Sequence, residues 1–180
     1  MSVYQKLAAV IPKFIGKPAF FKYGFNYSPM YRRSTARIIA VSEDLKHIRI
    51  RLGISYKNRN YVNSIFGGSM FSAVDPIPMV QLIQLIGDDY VVWDKSAEIN
   101  FRRPAREDLY ADFIYTEEEL DFIRNEVAEK DEIDIVKTTK LTNKEGSKLF
   151  CQVDKTIYIA KKDFYKEKLK RREKTQKKSP

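Results

Sequence analysis

The stretch from Asn63 to Gly87, NSIFGGSMFSAVDPIPMVQLIQLIG, opens with a glycine pair, runs into apolar residues, and then sets Asp75 ahead of Pro76 and Pro78. The apolar run reads as a buried helix with prolines in its middle. An interior proline removes a helical hydrogen bond and collides with the carbonyl four residues back. Either two helices meet at Asp75, or one helix is bent where an acid is needed. Only Gln81 and Gln84 are polar in the second half, so protein should wrap the segment on most sides. Gly87 can end it in a left-handed cap.

Strand patterns flank this helix. Ala36–Val41 and His47–Ile54 are β-rich runs joined by the polar SEDLK, which predicts a hairpin. YKNRNYVNSIFGG is a polar, aromatic, glycine-ended loop leading to the helix. After it, DYVVWDKSAEINF begins apolar and then alternates. Ala97, Ile99 and Phe101 share one face and Ser96, Glu98 and Asn100 the other, the pattern of a half-buried strand. RRPARED is a turn, LYADFIYTEEEL the next strand, and EELDFIRNEVAEKD a short helix. The rest, EIDIVKTTKLTNKEGSKLFCQVDKTIYIAKK, makes a hairpin about NKEG. A single antiparallel sheet cannot hide a helix that is apolar all round. It must curl about the helix or recruit a second copy.

The 180 residues suffice for one domain with appendages, and 43% hydrophobic with 13% aromatic content argues for a packed core over disorder. The net charge of +9 is unevenly spread. Residues 1–33 carry six Lys/Arg and no acid, residues 161–180 carry ten against three, and 17 basic and 21 acidic residues lie between. We therefore divide the chain into a basic, helical N-terminal segment (1–33), a mildly acidic domain (34–161) and a basic tail (162–180), read as a solvated helical extension. MSVYQKLAAVIPKFIG reads as a short amphipathic helix docked on the domain, since it lacks the order of a signal peptide. No uninterrupted apolar run reaches the length of a bilayer span. The lone Cys151 excludes an internal disulfide and fits a reducing compartment, so a cytoplasmic protein is expected. Its setting is that of a small strand residue.

NYVNSIFGGSMFSAVDP and DYVVWDKSAEINFRRPA together resemble the hot-dog fold of acyl-CoA thioesterases, over about Thr35 to Lys161. The chain is most similar to a little-characterised, thioesterase-like branch of that superfamily. The resemblance implies an α+β fold in which a curved antiparallel sheet wraps a long central helix. It also implies a homo-oligomer, a dimer or dimer of dimers with antiparallel central helices. The phenylacetate-pathway type has a loop Asn, then His-Gly-Gly, then an Asp in the helix. Matched to it, Asn60 is the loop Asn, Gly67 and Gly68 are the glycines and Asp75 is the acid. Phe66 stands where that type has histidine, and Asn63 replaces a loop glycine.

Thioester hydrolysis needs donors for a carbonyl oxygen that gains negative charge and a group that activates water. A helix N-terminus supplies unpartnered N–H groups, and glycines there admit close approach; close packing of the loop on the sheet explains the same glycines. Asp75 with Pro76 can cap a second helix. An aspartate in so apolar a stretch should also have a raised pKa unless hydrogen-bonded, which suits a general base. Both roles are compatible. Phe66, Tyr61 and Asn63 can contact or orient substrate, or simply pack in the loop. Arg102, Arg103 and Arg106 about Pro104 can hold coenzyme A phosphates, or form a solvated turn. His47, with no Asp or Cys near it in sequence, reads as a surface strand residue, against a His–acid pair or a metal site.

The leading expectation is hydrolysis of an acyl-CoA or other acyl thioester at a subunit interface, with coenzyme A as part of the substrate and no other cofactor or metal. The runner-up is a non-catalytic acyl or acyl-CoA binding protein on the same scaffold. A weaker third has the basic ends touching nucleic acid or acidic membranes, with no recognisable nucleic-acid motif to support it.

Overall fold

Alternation in the first two strands sets the inner face of the sheet. In β2 (His47–Leu52) the side chains of Ile48, Ile50 and Leu52 are buried and His47, Arg49 and Arg51 point out. β1 (Ala36–Val41) pairs with it antiparallel, with a bulge between Ile38 and Ala40. The turn is held by Asp44, whose carboxylate accepts from the Ser42 hydroxyl and the Lys46 amide. A computed structural model describes residues 16–176. The expected amphipathic helix at the start of the chain lies outside the described residues. Within them the N-terminal segment forms α1 (Lys17–Tyr27) and α2 (Pro29–Arg33).

The six-stranded antiparallel sheet has the order β1-β2-β4-β5-β6-β3, with β3 at Tyr90–Phe101, β4 at Leu109–Ile114, β5 at Glu132–Thr142 and β6 at Leu149–Lys161. Consecutive strands β2 and β3 lie four positions apart. The chain between them must cross the sheet, and it does so as helix. α3 (Gly67–Val74) and α4 (Pro76–Ile86) share one path, because Asp75 keeps right-handed helical angles (φ −49°, ψ −53°). The opening alternative is thereby settled: this is one 20-residue helical run, Gly67–Ile86, interrupted in its hydrogen bonding at the prolines. Side chains from elsewhere donate to carbonyls around the interruption. Tyr31 Oη reaches Ala73 O at 3.0 Å, Tyr115 Oη reaches Pro78 O at 3.1 Å, and Lys155 Nζ bonds Asp75 O. The curved sheet around a long helix is the hot-dog architecture.

By length and composition this helix matches a bilayer span, with mean hydropathy 1.3 over its best window. The helix is not an uninterrupted apolar run, however, since it holds Asp75, Gln81 and Gln84. It serves here as a core helix. Gln81 is buried and donates to Leu45 O at 2.8 Å. Met70, Ala73, Val74 and Ile77 pack with Ile48, Ile50, Leu109, Phe113 and Phe150 in one apolar cluster. Leu82 and Ile86 pack in a second with Val92, Ile157, Ile159 and Leu120, Ile123 and Val127 of α5 (Glu117–Lys130). Thr116 caps α5, accepting from Glu119 N. The chain itself buries only 44% of the central helix's most apolar window.

Two expectations change. β3 is an edge strand, and Ala97 and Phe101 are exposed and Ile99 only half-buried, because none of the described residues covers that stretch. The tail is α6 (Lys162–Gln176) and its first half is docked rather than solvated. Lys168 bonds Glu132, Lys162 bonds Asp88 O, and the Tyr165 ring lies 6.2 Å from that of Tyr158.

Candidate functional site

The loop before the central helix is built on two asparagines. Asn58, which the sequence reading passed over, is buried. Its Oδ1 accepts from Ser55 N at 2.8 Å, and its Nδ2 donates to Thr35 Oγ1 at 2.8 Å and Gly53 O at 2.9 Å. Its carbonyl accepts from Phe66 N at 2.8 Å, which fixes where the helix starts. Asn60, matched to the motif's loop Asn, turns inward on its own loop. Its Oδ1 accepts from Val62 N, Ser64 N and Ser64 Oγ, and its Nδ2 donates to Ser64 Oγ. Asn63 sits at φ +60°, a left-handed conformation that asparagine tolerates and glycine favours. It does the conformational work of the glycine it replaces. Tyr61 projects fully into solvent.

At the helix start the first amides, of Gly67 and Gly68, take no backbone acceptor among the described residues, whereas Ser69 N and Met70 N bond back to Phe66 O. Two aromatic rings lie against this turn. A Cβ on Gly67 would meet Phe101 Cζ at 2.8 Å, and one on Gly68 would meet Phe66 Cε1 at 2.3 Å. The glycines therefore make room for rings that are themselves 56% and 58% exposed. Ile65 N bonds Ala105 O at 2.8 Å, which ties the helix start to the arginine turn. Arg102, Arg103 and Arg106 thus sit beside the glycines, exposed, with no carboxylate at salt-bridge distance among the described residues. Arg102 acts on Asp154, whose carboxyl is held low mainly by Thr138 and then Gln152.

Asp75 does not cap a helix; its side chain makes no capping bond. Its Oδ1 accepts from Lys155 Nζ at 2.6 Å, and the same ammonium donates to Asp75 O and, at 2.8 Å, to Asp94 Oδ2. All three N–H bonds of that ammonium are thus engaged. The Lys155 side chain is 3% exposed, that of Asp75 41%. Burial pushes the Asp94 carboxyl up; Lys155 opposes the shift and the charge of Asp75 adds to it. Asp75 thus has a buried hydrogen-bonding partner in Lys155.

Lys155 and Asp94 were missed by the sequence reading, for different reasons. Cys151, Val153, Lys155, Ile157 and Ile159 all point inward from β6, so a lysine in the apolar phase was a legible signal. Asp94 had none. It lies opposite Ile157, and Ala97 lies opposite Lys155, with Lys95 bulged out between. Residues three apart alternate in a regular strand; the bulge puts Asp94 and Ala97 on one face.

His47 is the surface strand residue expected, and its ring has an acid partner distant in sequence, Asp112 Oδ1 at 2.7 Å. The pair spans β2 and β4 on the outer face, away from the helix. Cys151 is buried, and burial pushes its thiol up to about 11. Among the described residues no three His, Cys, Asp or Glu side chains gather as a metal site.

The family model described as "Domain of unknown function (DUF4442)" matches residues 16–159. The chain belongs to that family. No curated protein matches it. Among solved structures, this DUF4442 chain is similar to a probable thioesterase of unknown function from Pseudomonas aeruginosa (TM-score 0.70, 18% identity, covering 81% of this chain and 97% of that one). It is similar to a protein of unknown function from Chlorobaculum tepidum (0.64, 17%, 79% and 93%). It is also similar to a thioesterase from Haemophilus influenzae (0.58, 12%, 81% and 91%). At these identities the likeness is one of fold, and the fold is thioesterase-like.

Proposed function

We propose that this DUF4442 protein hydrolyses an acyl-CoA or related acyl thioester at an interface between two copies of the chain. The carrying observation is the combination of unpartnered amides at Gly67–Gly68 with a partly exposed, ion-paired Asp75 carboxylate on the same central helix. The amides would hold the oxygen of the tetrahedral intermediate; Asp75 would take a proton from water as it attacks the carbonyl, and return it to the thiolate when the intermediate collapses and the C–S bond breaks. The two lie seven residues apart, about 10 Å at ~1.5 Å per residue. An aspartate side chain does not span that distance, so one site needs Asp75 of one copy and the glycines of another. The edge of β3 and the incompletely covered helix leave room for that second copy. The adjoining arginine turn suits the phosphates of coenzyme A.

A second reading, an acyl-CoA binder without turnover, is favoured by one observation. Phe66, in the motif histidine's position, lays its ring against Gly68. Hydrolysis of an acyl-CoA panel, followed by thiol release, separates the two. Asp75→Asn should lower kcat by about 10²–10⁴-fold with folding intact. Saturable acyl-CoA binding without thiol release in the wild type would install the binder instead.

A further inference from the structure

The Lys155 ammonium lies at the seam between the two apolar clusters, with Val153 in one and Ile157 in the other. Buried lysines are rare unless paired, and this one holds two carboxylates at once. We propose that Lys155 and Asp94 are positioning residues for Asp75: Lys155 fixes the carboxylate through Oδ1 and leaves Oδ2 for water, and Asp94 shares the ammonium's charge so that Asp75 keeps the strength of a base. The inference rests on the thioesterase reading for its catalytic meaning, but the electrostatic part stands by itself.

A carboxylate held by a lysine alone is a poor proton acceptor, because a cation within ~4–6 Å lowers its pKa by about 1–3 units. A second carboxylate on the same nitrogen opposes that effect. The geometry is arranged for this, since only the bulge at Lys95 turns Asp94 onto the inner face. Burial also keeps Asp94 harder to ionise than a free carboxyl. The other titratable groups on this side are few. The central helix has no charged residue besides Asp75. From β5, Lys137 lies opposite Lys155 and is held by both oxygens of Glu119, 2.6 and 2.7 Å away, with its ammonium 4.0 Å from the ring centre of Tyr115. The Tyr115 hydroxyl, just after β4, is pushed up by burial, then by Glu119 and Asp94. The Tyr31 hydroxyl of α2 donates to Ala73 O, and burial pushes it up too, with Arg37 opposing.

The two neighbours should therefore move the acid limb of the kcat/KM–pH profile in opposite directions. In Asp94→Asn the full charge of Lys155 falls on Asp75, and the limb should move down by about one pH unit, with kcat lowered and KM unchanged. In Lys155→Met the limb should move up by a similar amount, and Lys155→Arg should restore most of the wild-type profile. A merely structural ion pair would lower stability in both variants and leave the limb where it was, and that result overturns the proposal. Should Lys155→Met fail to fold, the near-isosteric Asp94→Asn decides alone. Carbon-13 titration of the Asp75 carboxyl in wild type and Asp94→Asn needs no turnover. If the wild type hydrolyses no thioester, the hydrolase reading fails, and the titration still rules: a lower midpoint in the variant supports the tuning, an unchanged one rejects it.

Discussion

Gly67 and Gly68 have a double use, as donors of free amides and as the space into which two rings fit. Gly68→Ala keeps the N–H and Gly68→Pro deletes it. Neither glycine has a positive φ, and the helical preference for alanine, up to about 1 kcal/mol, offsets the displacement of an exposed ring. Gly68→Ala should keep its melting temperature within ~3 °C of wild type, while Gly68→Pro should lose about 10²–10³-fold in kcat. Equal losses from both would mean that close approach, not the donor, is what the glycine supplies. At Asp108, burial raises the carboxyl pKa, but the Arg51 guanidinium (Nε 2.9 Å, Nη2 2.6 Å) and the Ile54 amide (2.9 Å) outweigh it, and the net shift is downward. A folded-state pKa below the unfolded one gives stability that is present above about pH 3.9 and lost as pH falls through the lowered value. Urea unfolding of Asp108→Asn should therefore show a shallower loss below about pH 4 than wild type; superimposable pH curves would contradict the assignment.

Among elements, the central helix and α6 carry the corrections. The helix runs through two prolines, and tyrosine and lysine side chains from α2, the end of β4 and β6 donate to carbonyls close to the break; a sequence shows the missing N–H groups but not these distant donors. The charge of α6 suggested solvation, yet Lys168, Tyr165 and Lys162 hold its first turns to the sheet. A chain ending after Lys170 should melt within ~2 °C of the full protein, while one ending after Lys161 should lose about 5 °C, the scale of one or two kcal/mol. Equal melting of the two in a thermal scan would return the tail to solvent.

At the scale of the whole molecule, a 12-residue edge strand whose outer side pairs with no described residue invites another chain, and the central helix is only partly covered. If Asp75 and the glycines act in different copies, an inactive Asp75→Asn chain mixed with an inactive Gly68→Pro chain should regain activity, since each heterodimer holds one intact site. Co-refolded mixtures that contain confirmed heterodimers and remain inert would sink the shared site.

Most of the architecture was written in local patterns: the hairpins, the long apolar helix, the glycine start and the hot-dog likeness all depend on period, turn chemistry and short motifs. The inward phase of Lys155 was legible in the same way. What only the tertiary structure decided depends on contacts between residues far apart in the chain. Whether Asp75 caps a helix or meets a lysine turned on β6, 80 residues later. The place of Asp94 turned on one bulged residue in β3, because a single extra residue reverses every side chain beyond it. Alternation names the faces of a strand; only its pairing says which face meets the helix.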